Sequence, residues 1–158
     1  MKTAFIGLGS NLQQPRQQVL DALDELDCIP ESWLECHSSL YSSAPMGPQD
    51  QPDYINAVAA LRTALPALEL LDALQAIEQA HARVRYQRWG PRTLDLDLLL
   101  YGQDILKTPR LTLPHPGIAE RTFVLLPLVE CRPDIRIPGL GSAAQLLQQC
   151  PKGPLIES

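Results

Sequence analysis

No apolar run in this 158-residue chain approaches the roughly 20 residues of a membrane-spanning helix. The opening Met1-Lys2-Thr3-Ala4-Phe5-Ile6 gives way to glycine too soon for a secretory leader, so a cytoplasmic protein with no membrane partner is expected. No C-x-x-C pair occurs. Cys28, Cys36, Cys131 and Cys150 are scattered, and they read as reduced, mostly buried thiols rather than staples or zinc ligands. His37, His81 and His115 lack metal spacing such as H-E-x-x-H; of the three, only His115, between Pro114 and Pro116, belongs near a site. There is no G-x-x-x-x-G-K-[ST] loop, no G-x-S-x-G elbow and no Cys/His nucleophile pattern. Gly7-Leu8-Gly9-Ser10 fails as a dinucleotide fingerprint, because Leu12 stands where the third glycine belongs, and it is expected to be a structural turn. The aromatic run of a sheet-based RNA-binding module is also missing.

What is present is ordinary globular composition, 45% hydrophobic and 20% charged, in a length that suits one domain over residues 1–158. The net charge of −5 argues against general nucleic-acid binding. That charge is unevenly spread. Residues 83–121 carry Arg83, Arg85, Arg88, Arg92, Lys107, Arg110 and Arg121 against Asp95, Asp97, Asp104 and Glu120, so this window is +3 and the remainder −8. A local basic site on an acidic protein suits a small polyanion; a solvated arginine-rich loop fits the charge alone equally well.

Ala4 to Leu8 reads as a buried strand. Pro15 opens a helix with Val19, Ala22, Leu23 and Leu26 on one face, and Pro30 ends it. Trp33 to Tyr41 reads as a second strand and Tyr54 to Leu61 as a third, although its alanines also allow helix. Pro66 opens a second helix marked by Leu70, Leu71, Leu74 and Ile77. Arg83 to Thr93 is expected to be an arginine-loaded loop, and Leu94 to Tyr101 a fourth strand. The order β-α-β-β-α-β is the ferredoxin-like plan, an α+β antiparallel sheet with both helices on one face. C-terminal additions follow: a hairpin around Ile105 to Leu113, an apolar stretch from Phe123 to Val129 and a small amphipathic helix near Ala143 to Cys150.

The central motif is Asp95-Leu96-Asp97. On a strand these two carboxylates share a face about 6.5–7 Å apart, while Leu94, Leu96 and Leu98 turn into the core. Taken alone, two solvated aspartates are the simpler reading. The arginines just before them tip it toward magnesium and a polyphosphate, since guanidiniums bind the outer phosphate oxygens. Trp89, within Trp89-Gly90-Pro91-Arg92-Thr93, either stacks on a flat ring or anchors the loop. Gln75 and Glu78 share one helix flank, where a solvated edge is the simpler reading. Tyr54 and Asn56 share a strand face and can read the edge of a heterocycle, or simply cap the proline-rich segment before them.

The stretch from Arg88 to Leu98, RWGPRTLDLDL, resembles the hallmark segment of the 6-hydroxymethyl-7,8-dihydropterin pyrophosphokinases of folate biosynthesis. Ile6 to Leu12, Gly47 to Asn56, Arg110 to Pro116 and Arg121 to Leu125 are similar to further family segments, so the resemblance covers about residues 4–130. It implies a ferredoxin-like fold and transfer of the pyrophosphoryl group of ATP to the hydroxymethyl oxygen of the pterin, with release of AMP. By position, Asp95 and Asp97 would hold two Mg²⁺ ions, and Arg83 and Arg92 would neutralise charge on the transferred group. Gln75, Glu78, Arg85, Trp89, Leu98, Arg110, Thr112, His115 and Arg121 would line the ATP side. Phe123 and Trp89 would stack on the pterin, with Tyr54 and Asn56 and the backbone of Ser43, Ala44 and Met46 reading its edge. Some members carry a lysine after the second loop arginine, where this chain has Tyr86-Gln87 and is one residue shorter. A monomer acting on these two small molecules is expected. A metal-dependent nucleotide phosphohydrolase is the alternative that the same D-x-D allows.

Overall fold

The structure, a computed structural model, describes residues 1–11, 14–43, 54–85, 94–150 and 155–157, with the main chain alone for 83–85 and 155–157. In chain order the first elements are β1 (Lys2–Ser10), α1 (Pro15–Leu26), β2 (Ser32–His37), β3 (Tyr41–Ser43), β4 (Tyr54–Thr63), α2 (Ala67–Arg85) and β5 (Asp95–Tyr101). The hairpin strands β6 (Leu106–Lys107) and β7 (Thr112–Leu113) come next, then α3 (Thr122–Cys131), β8 (Arg136–Ile137), β9 (Gly141–Ser142), α4 (Ala143–Gln149) and β10 (Leu155–Glu157). The main sheet runs β10-β3-β4-β1-β5, with β2 also on β4, and every pairing in it is antiparallel.

Strand alternation divides the sheet into two apolar faces. Ala4, Ile6, Leu8, Ala57, Ala59, Leu61, Leu96 and Leu98 meet Val19, Leu23 and Leu26 of α1 and Leu70, Leu71 and Leu74 of α2. His81 ties these helices together, its ring nitrogens bonded to Gln18 and, at 2.5 Å, to Glu25. Phe5, Val58, Ala60, Leu99 and Leu100 face the other way, against Val124, Leu125 and Leu128 of α3 and Ala143 of α4. The expected pair of helices on one face is therefore present, and the C-terminal additions cover part of the second face. The switch on β5 is a bulge. Leu98 pairs with Ile6 and Leu100 with Phe5, so Leu99 is an extra residue and turns with Leu100 toward α3.

Three expectations are corrected. Gly7 to Ser10 is the second half of β1, not a turn, because its main chain is paired with β4 throughout and with β5 as far as Gly9. The second strand breaks after His37: the buried Ser38 hydroxyl accepts the Val58 N–H at 2.9 Å and takes over from the ladder. Arg83 to Arg85 belong to α2 and not to a loop, because the helix continues through Arg85; the rest of the expected arginine loop lies outside the described residues. No glycine or proline intervenes between Pro66 and Gly90 to stop the helix earlier. Among the described residues no helix is long and apolar enough to cross a membrane.

Candidate active site

The register of three strands builds the site. On the face toward α3, Asn56, Gly9 and Asp95 stand in one row across β4, β1 and β5; Val58, Gly7 and Asp97 form the next. Each aspartate thus faces a glycine on the central strand. A Cβ at Gly9 would come within 3.5 Å of Asn56 Oδ1, and one at Gly7 within 3.4 Å of Leu99 Cδ1. Their absence leaves a cavity of about 200 Å³ floored by main chain. Ser43, Tyr54, Asn56, Asp95, Asp97, Arg121 and Phe123 all line it, so seven of the candidate residues converge from four elements and the segment before α3. Gly7 and Gly9, the floor, were missed as site residues. Their signal was glycine inside a strand pattern, which marks a close approach to main chain.

The polar groups are held in set directions. Asn56 is 5% exposed, and its amide N–H donates to Ser43 Oγ at 2.7 Å. That leaves Asn56 Oδ1 as an acceptor on the Gly9 side of the cavity. Burial, and after it the negative charge of Asp95, raises the Tyr54 hydroxyl above its usual value of 10, so Tyr54 is a donor at neutral pH. The Arg121 guanidinium lies 5.8 Å from the centroid of the Phe123 ring, a cation–π contact that presents a flat surface and a positive charge together. Asp95 is half-buried and Asp97 exposed. Among the described residues no group of three or more His, Cys, Asp or Glu could hold a metal. Two carboxylates on one cavity fit magnesium, which completes its shell with water and phosphate oxygens, and do not fit a closed zinc site.

A second set of candidates gathers along the outer edge of β5. Glu78 accepts the Leu96 N–H at 2.7 Å. The His115 N–H donates to the Leu99 carbonyl at 3.0 Å, and β7, with Thr112, packs against β5. Arg110 reaches from the hairpin to α2, bonding Asp72 at 2.6 Å and Gln75 at 3.2 Å. Leu98 needs a correction of kind. Its side chain is 2% exposed in the core beneath α1 and α2, so only its main chain, directed to the edge like that of Leu96, can meet a ligand. Thr112 and His115 also line a separate groove of about 430 Å³ between the two hairpins, apart from the first cavity. Ala44, Met46, Trp89 and Arg92 lie outside the described residues, as do the side chains of Arg83 and Arg85.

Comparison with known proteins adds three findings. A 2-amino-4-hydroxy-6-hydroxymethyldihydropteridine pyrophosphokinase of Pseudomonas aeruginosa is 51% identical over 151 residues, covering 96% of this chain and 93% of that protein. The protein of the same name from Haemophilus influenzae is 49% identical over 149 residues, covering 94% and 93%. Solved structures share the fold at low identity. A crystal structure of HPPK-DHPS in complex with substrates superposes with a TM-score of 0.73 at 12% identity, over 94% of this chain and 45% of that one. Plasmodium falciparum HPPK-DHPS with pteroate gives 0.71 at 14%, over 94% and 42%. The chain thus spans under half of those structures. A sequence model described as 7,8-dihydro-6-hydroxymethylpterin-pyrophosphokinase matches residues 5–133. That match takes in the cavity, the paired aspartates and the β5 edge together, and the chain belongs to this pyrophosphokinase family.

Proposed function

We propose that this protein transfers the pyrophosphoryl group of ATP to 6-hydroxymethyl-7,8-dihydropterin, giving the pterin pyrophosphate and AMP for folate synthesis. The observation that carries the reading is one cavity holding an oriented amide, a flat aromatic wall and two carboxylates. Asn56 Oδ1 accepts from a ring N–H of the pterin, Tyr54 and Ser43 hold the polar edge, and Phe123 covers the ring face. In this reading the hydroxymethyl group points toward Asp95 and Asp97, which line the same cavity. The nucleotide lies along the β5 edge, with Leu98 meeting it through its main chain and Gln75, Glu78, Arg85, Trp89, Arg110, Thr112 and His115 beside it. The hydroxymethyl oxygen attacks the β-phosphorus, and the bond from that phosphorus to the oxygen bridging the α-phosphate breaks, so AMP leaves. Arg83, Arg92 and Arg121 neutralise charge that develops on the transferred group. Asp95 and Asp97 would hold two Mg²⁺ ions, whose charge offsets that of the phosphates. The protein works as a cytoplasmic monomer, with residues 1–158 as one catalytic unit.

Incubation with ATP, Mg²⁺ and the hydroxymethyl pterin, followed by product identification, tests this. AMP and pterin pyrophosphate should form in equal amounts. ADP as the nucleotide product would mean ordinary kinase chemistry. Nucleotide consumed at the same rate without pterin would mean a phosphohydrolase.

A further inference from the structure

Cys36 and Cys131 are 95 positions apart, yet their sulfurs lie 3.0 Å from each other. A break in strand register brings them together. β2 pairs with β4 at Leu34↔Leu61 and next at Cys36↔Ala60, which makes Glu35 an extra residue. In a regular strand Leu34 and Cys36 would share a face. Here Leu34 packs on the cluster under α1 and α2, whereas Cys36 packs on the cluster under α3 and α4. Cys131 is the last residue of α3 and waits on that face, its carbonyl 3.7 Å from Cys36 Sγ. Both cysteines are half-buried. Of the other two, Cys28 is exposed, and Cys150 is buried with its sulfur 3.2 Å from the Thr122 hydroxyl. The scattered positions gave no hint of a pair, and only Cys150 meets the expectation of burial.

We propose that Cys36 and Cys131 form a reversible dithiol–disulfide site whose oxidant is a low-molecular-weight disulfide. A disulfide bond is about 2.05 Å long, so the sulfurs close by only about 1 Å. Cys36, as thiolate, attacks one sulfur of the reagent; the reagent's S–S bond breaks and its other half leaves as a thiol with the proton that Cys36 gave up. The Cys131 sulfur then attacks Cys36 Sγ, loses its own proton and expels the second half. The protein loses two electrons and two protons, and one reagent molecule becomes two thiols. The order follows from the surroundings. Burial, and after it the hydrogen bond and charge of Cys36, push the Cys131 thiol up to about 12, so first attack falls to Cys36. Once Cys36 is capped, the Cys131 sulfur stands in contact with the mixed disulfide and completes the exchange.

The bond ties β2 to the end of α3 across a loop of 95 residues and removes freedom from the unfolded chain. It forms about 12 Å along α3 from Phe123, so it stabilises the fold and leaves turnover in place. The test uses the full chain, with Cys28→Ser as a parallel sample to remove the exposed thiol. Each is equilibrated with excess oxidised glutathione or with dithiothreitol, then analysed by intact mass, non-reducing peptide mapping and calorimetry. The oxidised chain should lose two hydrogens, yield a Cys36–Cys131 peptide and melt about 5–15 °C higher. Dithiothreitol should reverse all three changes, and Cys36→Ser or Cys131→Ser should abolish them. A lasting glutathione adduct on Cys36, a bridge through Cys28 or Cys150, or an unchanged melting temperature in the cross-linked chain would overturn the proposal.

Discussion

Replacing Glu78 with alanine removes a carboxylate from the open edge of the sheet. Among the described residues β5 is laddered with a strand on one side only, and Glu78 Oε2 receives the Leu96 N–H at 2.7 Å where a further strand would otherwise bond. Hydrogen bonds to charged groups contribute about 1.5–3 kcal/mol net. Glu78 is half-buried and water can replace part of the bond at an edge, so a loss of about 1–2 kcal/mol is expected. For a chain of this size that lowers Tm by about 2–8 °C. Glu78→Gln keeps a neutral acceptor and should lose roughly half as much. Calorimetry on the ligand-free protein measures this directly, and the ATP KM of each variant separates positioning of the strand from contact with nucleotide. If Glu78→Ala melts within a degree of the parent, the bond has no structural weight and Glu78 belongs to the ligand alone.

Asp95→Asn and Asp97→Asn should each reduce turnover by several orders of magnitude, with every tenfold equal to 1.36 kcal/mol of transition-state stabilisation. Near-normal turnover of either variant at saturating Mg²⁺ would remove this face from the metal proposal. Phe123→Ala should weaken pterin binding roughly 5- to 150-fold, given about 1–3 kcal/mol for stacking, and leave Mg-ATP binding nearly intact; equal losses in titration calorimetry would contradict the stacking role. Glu130 supplies a pH signature. Burial alone would raise its carboxyl, but hydrogen bonds from Ser39 and from the Tyr41 hydroxyl at 2.6 Å hold it below its usual value of 4.5. A depressed carboxyl stabilises the fold above its unfolded value, and that contribution is lost as pH falls through the folded one. The stability gap between the parent and Glu130→Gln should therefore be constant near neutrality and shrink below about pH 4.5; a gap independent of pH would refute it.

The helices α1 and α2 were legible because Val19, Leu23 and Leu26, and Leu70 and Leu74, repeat at the helical period, and the strand order followed from what lay between them. The same alternation placed Asp95 beside Asp97, and Tyr54 beside Asn56, on shared faces. Period arguments fail where the period breaks. Leu99 and Glu35 are extra residues in their strands, and nothing in the chain marks them. The sequence shows α3 only as an apolar stretch; Pro127 lies inside the helix, and burial against β4 holds it in place. Gly7 and Gly9 looked like turn residues, since a single chain cannot reveal which strand stands opposite. The arrangement of Arg121 over Phe123 depends on tertiary packing and had no local signal.

The glycine floor also bears on how an inhibitor of this cavity would fare under selection. Most binding sites can shed an unwanted ligand by exchanging one side chain for a bulkier one. Here the central strand offers no side chain to exchange: the surface beneath a ligand is the main chain of Gly7 and Gly9. Alanine at position 9 would place its methyl 3.5 Å from Asn56 Oδ1 and 4.0 Å from the Tyr54 ring, in ordinary contact with the protein but inside the ligand's space. Such a change would crowd the natural ring as much as any mimic of it. A compound lying flat on this floor, and no larger than the substrate, would leave resistance to arise mainly from the walls.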